Sequence, residues 1–175
     1  ERRIVALEKS LRRLDFHTSI QQIVACVQAF DDRPADALSF LLAMRNSSGE
    51  RPPKDWLTKI KDLLVGMSDD AICQLLWECY RFDNGDSYSL NPGLFWALRL
   101  VPNSQSVAQI GKAATEMVRR KPSFAVAALD TLDSIANRSS LSAILQMRRR
   151  IRNRKVNKLI NRTIDRIANE DGLDR

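Results

Sequence analysis

Apolar residues recur at three- and four-residue intervals along nearly the whole chain, with polar breaks between the runs, and this spacing predicts helices from end to end. Ile4, Leu7, Leu11 and Leu14 form a narrow seam over residues 1–14, and Ile20, Ile23, Val24, Val27 and Phe30 form the inner face of a helix over 19–30. Pro34 suits the first turn of the next helix, which carries Leu38, Phe40, Leu41, Leu42 and Met44 inward. Beyond a polar connection at 46–53, a helix over 54–67 buries Trp56, Ile60, Leu63, Leu64 and Met67. Ser68-Asp69-Asp70 caps another, running to Arg81 with Ile72, Leu75, Leu76, Cys79 and Tyr80 inward.

The run Leu94 to Val101 is apolar on every side except at Arg99, so a helix there must be surrounded by others. Ser104 or Ser106 then caps a helix to Arg120 with Val107, Ile110, Gly111, Ala114, Met117 and Val118 on one face, where Gly111 would let a neighbouring backbone come close. A helix from Pro122 to Ala136 buries Phe124, Ala125, Ala128, Leu129, Leu132 and Ile135. The closing pair spans Ser140 to Ile151 and Arg154 to Ala168. The last helix sets Val156, Leu159, Ile160, Thr163, Ile164 and Ile167 against Arg154, Lys158, Arg162 and Arg166 on its other side.

About ten helices, no strand and short connections predict an all-α fold of antiparallel helical hairpins. From Asn91 onward the pairs recur at about 30 to 35 residues, a period typical of a short α-solenoid of HEAT or armadillo type; a compact bundle is the other packing these helices allow. The length suits one helical-repeat domain, 1–175, with a possible subdomain boundary near 46–53. The start, Glu1-Arg2-Arg3-Ile4, lacks an initiator Met and a signal-peptide pattern and reads as a piece of a longer protein.

Several stretches carry a family resemblance. Gly93-Leu94-Phe95-Trp96-Ala97-Leu98, Ile110-Gly111-Lys112-Ala113-Ala114, Ala127-Ala128-Leu129-Asp130-Thr131-Leu132, the basic corner described next, and Ile167-Ala168-Asn169-Glu170-Asp171-Gly172 resemble the HEAT or armadillo-type repeat region of bacterial MolR-like proteins, some of which carry a separate WGR module. The resemblance covers roughly residues 91–172 and rests on small and apolar positions. It implies a helical scaffold inside a larger bacterial protein, with no active site to carry over.

Charge changes the picture at one place. Residues 145–175 hold ten Lys or Arg against four acids, which leaves a surplus of only one in the rest of a chain of net charge +7. Seven basic residues, Arg148, Arg149, Arg150, Arg152, Arg154, Lys155 and Lys158, occur with no acid among them, and Arg162 and Arg166 extend them along the last helix. These nine are the candidate anion- or partner-binding residues; a solvated helix face is the bland alternative. Asp165 interrupts the stripe, and Arg148, in line with Leu141, Ile144 and Leu145, is expected to emerge at the end of the core near helix carbonyls or a carboxylate.

Other chemistry finds little support. Cys26, Cys73 and Cys79 lack paired spacing, which argues for buried free thiols in a reducing cytoplasm and against a zinc site. His17, the sole histidine, lies in a turn with no nucleophile and orienting group arranged around it. Asp83-Asn84-Gly85-Asp86-Ser87 reads as a turn, because the twelfth position of a calcium loop would need Glu where Leu94 stands. Capping explains Asp69 and Asp70, and the three tryptophans fall at core positions. No apolar run reaches the roughly 20 residues of a bilayer span. The expectation is therefore a cytoplasmic, non-enzymatic scaffold or interaction module, with no cofactor, metal or membrane, that binds a protein partner or neighbouring domains of its own chain. A nucleic-acid-binding domain gripping phosphates is the alternative.

Overall fold

The computed structural model describes residues 2–13, 19–45, 52–81, 91–119 and 122–170, and every described element is helical. Ten α-helices are present among them: α1 (Arg2–Arg13), α2 (Ile20–Phe30), α3 (Pro34–Arg45), α4 (Trp56–Leu63), α5 (Asp69–Arg81), α6 (Asn91–Ala97), α7 (Ser104–Met117), α8 (Pro122–Ile135), α9 (Arg138–Arg150) and α10 (Arg154–Glu170). A 3-10 turn, Leu98–Leu100, follows α6. No described helix is long and apolar enough to cross a membrane. His17 and the 83–87 turn lie outside the described residues, as does most of the 46–53 connection.

The chain divides into two compact units at the junction between α6 and the 3-10 turn. In the first, α2 packs on α1, α3 and α5, α3 packs on α1, α4 and α6, and α6 also meets α4 and α5. Its interior is rich in rings. Phe30 lies 5.5 Å from Phe40, Trp56 meets Trp96 edge-on at 5.6 Å, and Tyr80 contacts both Trp77 (5.4 Å) and Phe95 (5.8 Å). Leu94 to Leu98 are all buried, as an apolar run on every side requires. Trp56 and Trp96 are core, whereas Trp77 is half-buried.

The buried face of α2 is rotated from the predicted one. Ile20 is 45% exposed and Val24 and Val27 are half-buried, while Gln22, Ile23, Cys26 and Phe30 point inward. A buried glutamine is tolerable because every part of it is used. Gln22 accepts from the Ser19 N–H and gives its own N–H to Ser19 Oγ, a reciprocal cap, and its Nε2 donates to the Cys79 carbonyl of α5 at 2.8 Å. Beside it the Cys26 and Cys79 thiols lie 4.0 Å apart, both buried and both free. The third thiol, Cys73, is half-exposed rather than buried. The hydrogen bond with Cys79, together with burial, pushes the Cys26 thiol well above its usual range.

Helix α4 is shorter than the predicted 54–67. Asp55 sits in the left-handed region (φ 63°), so the helix cannot begin before Trp56, and Gly66 (φ 85°) supplies the turn that follows its last residues.

The second unit comprises the 3-10 turn and α7 to α10. Helix α7 lies against α8 and α9, α10 lies against α8 and α9, and α8 also touches α9. The start of α7 is capped by Asn103, whose Oδ1 accepts from the Ser106 N–H at 2.8 Å, rather than by either serine. Asn137 and Ser140 exchange a reciprocal cap that starts α9 two residues earlier than predicted. Gly111 is where α7 meets α9: a Cβ there would lie 3.1 Å from the Ala143 Cβ. Ala113 and Ala114 of α7, Ala125, Ala127 and Ala128 of α8 and Ala143 of α9 are all buried, so small side chains make up much of this unit's interior.

Candidate cationic site at the helix corners

The unit boundary sharpens the charge asymmetry. Residues 1–97 carry twelve basic against fourteen acidic residues, and residues 98–175 carry sixteen against seven, so the second unit holds a net +9 and the first a net −2. Much of that surplus sits where helices end.

The final turn of α9 consists of Arg148, Arg149 and Arg150, all exposed, where positive charge offsets the carbonyl end of the helix. Ile151 then turns inward. It is 1% exposed, its N–H donates to the Met147 carbonyl at 2.8 Å, and its carbonyl accepts from Asn157 Nδ2 at 2.8 Å. Asn153 Oδ1 accepts from the Val156 N–H at 3.1 Å and so caps α10. An apolar anchor and three hydrogen bonds thus fix this basic corner in place. Its arginines project from a stiff frame.

Arg150 and Arg152 line one side of an open cleft of about 430 Å³, together with Asn153. The other side is Thr115, Glu116, Val118 and Arg119 from the end of α7, and Pro122 from the start of α8. The α7–α8 and α9–α10 corners therefore lie side by side, and Arg119 joins the two arginines from the later corner. Sequence reading passed over this residue. The available signal was the run Arg119-Arg120-Lys121 directly before Pro122, a second basic cluster at a predicted helix junction. Arg120 and Lys121 lie outside the described residues.

The remaining candidates fall elsewhere. Arg148 and Arg150 are about 200° apart at 100° per residue, so Arg148 occupies the opposite flank of α9. It is exposed near the end of the Leu141 and Leu145 flank, and Leu145 is itself 39% exposed. Arg149, Arg154, Lys155, Lys158 and Arg162 are exposed. Arg166 is committed: its Nε donates to Asp133 Oδ1 at 3.0 Å and its Nη2 to the Asp133 carbonyl at 2.8 Å, which clips α10 to α8. The cause is geometric, since an i, i+4 series drifts by about 40° per step and by its fourth member has rotated towards the packed side.

No protein-family model, curated relative or solved structure matches this chain. The HEAT or armadillo resemblance accordingly rests on the residues quoted for it. Among the described residues no three His, Cys, Asp or Glu side chains gather closely enough to hold a metal ion. What the corner can do chemically is offer guanidinium groups, planar and charged at any ordinary pH, to oxyanions.

Proposed function

We propose that this chain is a non-enzymatic helical-repeat interaction module whose working surface is the cationic end of the second unit. The observation that carries the repeat reading is a shared offset between contacting residues. Arg99 pairs with Asp130 31 positions on, Asp133 with Arg166 33 positions on, and Gly111 faces Ala143 at an offset between these. In stacked hairpins each residue meets its counterpart one repeat later, so contacts between layers share one offset. The layering agrees within each unit: α7 beside α9 and α8 beside α10 in one, α2 beside α5 and α3 beside α6 in the other. These pairings support HEAT-type hairpins.

The partner in this reading is an anionic surface, on another protein or on a neighbouring domain of the parent chain. Titration with polyglutamate and with DNA and RNA duplexes tests it. Binding should weaken when Arg149, Arg150, Arg152 and Lys155 are changed together to Glu, with the helical circular dichroism intact. Binding unaltered by those changes removes the assigned surface, and turnover in a substrate screen that one polar substitution abolishes overturns the non-enzymatic reading.

One observation favours nucleic acid as the partner. Arg119 extends the basic surface across two adjacent corners, and a sugar-phosphate backbone is a regular row of charges that such a surface can track without reading bases. About four to six phosphate contacts would give a log-log salt slope near −4 to −5. A rim-type contact with an acidic protein would instead show salt mainly in its association rate.

A further inference from the structure

The cleft between the two corners differs in kind from the basic surface around it. Arg154, Lys158 and Arg162 stand on the outside of a helix, where an anion can be touched from one side only. Arg119, Arg150 and Arg152 line a concavity, so an anion inside it is flanked by chain from two hairpins. We infer that this cleft is the seat of a terminal phosphate, a phosphomonoester at the end of a nucleic acid strand, with the exposed α10 stripe following the backbone beyond it. The inference rests on the nucleic-acid reading above.

Charge is the first argument. Three guanidinium groups less the Glu116 carboxylate leave the cleft at net +2. A phosphomonoester carries about −1.5 to −2 at neutral pH, whereas each internal phosphodiester carries a single charge, so the terminal group is the better match. Donor chemistry is the second. Thr115 Oγ1 already donates to the Gly111 carbonyl at 2.8 Å, and Asn153 Oδ1 is taken by its cap, so the arginines and the Asn153 Nδ2 group are the donors for phosphate oxygens. Glu116, an acceptor only, suits a sugar hydroxyl rather than a phosphate oxygen. Size is the third. A cleft of about 430 Å³ exceeds what one phosphate fills and leaves room for the attached nucleoside against Val118 and Pro122. Continuity is the last. Arg152 and Asn153 lead directly into α10, where Arg154, Lys158 and Arg162 recur at about 6 Å of rise per step.

The test is fluorescence anisotropy on the full chain with short single strands of one sequence bearing a 5′-phosphate, a 3′-phosphate or hydroxyls at both ends, and with a phosphoserine peptide. One terminal phosphate should tighten binding roughly tenfold, the scale of one charge-assisted hydrogen bond. Arg119→Ala and Arg152→Ala should erase that gain, while Arg162→Ala weakens all strands alike and preserves it. All these positions are exposed, and circular dichroism confirms that each variant folds. Equal affinity for every strand end overturns the cleft assignment and leaves the nucleic-acid reading standing, whereas no binding to any strand removes both. A phosphoserine peptide that binds as tightly as the phosphorylated strand overturns the choice of nucleic acid.

Discussion

The first unit packs its helices through rings, Phe30 on Phe40 and Trp56 edge-on to Trp96, whereas residues 98–175 contain one aromatic side chain, Phe124, and close their core with alanines and aliphatics. Large rings fill irregular space and allow an extra helix such as α4 to be wedged in beside α3 and α6. Small side chains leave no such slack, so α7 and α9 meet at Gly111 and Ala143 in one register. Register has a consequence at the helix ends. Helices α7 and α9 held in this register bring the α7–α8 and α9–α10 corners level, and Arg119 and Arg150, distant in sequence, come to line one cleft. The first unit has no such charge surplus.

Substitutions can break this contrast. The largest effect is expected in the ring-packed unit: Trp96 is fully buried, and Trp96→Ala should cost about 3–5 kcal/mol in urea unfolding through the cavity it leaves. In the second unit the sensitive direction is the reverse, because enlarging a side chain does the damage. Gly111→Leu should destabilise by about 1–3 kcal/mol, since its side chain must displace Ala143. A Gly111→Leu chain as stable as the parent would show that the close approach of α7 and α9 is not needed.

A smaller effect is expected at the clip between α10 and α8. Arg166→Ala removes an ion pair and a carbonyl contact at groups that are 39% and 31% exposed, so about 1 kcal/mol is expected after allowance for solvent screening. Affinity for polyanions should change little, because this arginine is already committed to Asp133. A loss of affinity comparable to that of Arg152→Ala would return Arg166 to the binding surface.

The smallest effect concerns pH and belongs to the first unit. The Cys26 thiol is pushed up by its hydrogen bond with Cys79 and by burial, so the unfolded chain loses this proton at lower pH than the folded one. Stability from this group is fully present below about pH 9 and is lost as pH rises above it towards the folded value. Thermal melts between pH 8 and pH 10.5 should therefore fall more steeply for the parent than for Cys26→Ala; identical slopes would contradict the raised Cys26 thiol.

Much of the fold was legible in the sequence. Helix order and most boundaries follow from apolar spacing and from local signals such as Pro34 in the first turn of α3 and Ser68 ahead of α5, whereas the Asn137 cap was missed and α9 begins two residues before its predicted start. Boundaries set by backbone conformation were not legible: the left-handed Asp55 gives no side-chain signal, and Gly66 was overlooked inside an apolar run. The inner face of α2 was misjudged because hydrophobic counting cannot foresee that Gln22 will be fully hydrogen-bonded by Ser19 and Cys79. For the site, the later basic corner was legible and its earlier partner was not. Arg119 matters only once the two corners are seen to lie side by side, and that adjacency is a product of packing.

The most direct measurement is the salt dependence of duplex binding by the parent chain and by the variant with Glu at positions 149, 150, 152 and 155. With nucleic acid as the partner of the cationic surface, the account predicts a log-log slope near −4 to −5 for the parent, from about four to six phosphate contacts, and a much weaker, flatter response for the variant. Equal affinity and equal slope for the two proteins would contradict it.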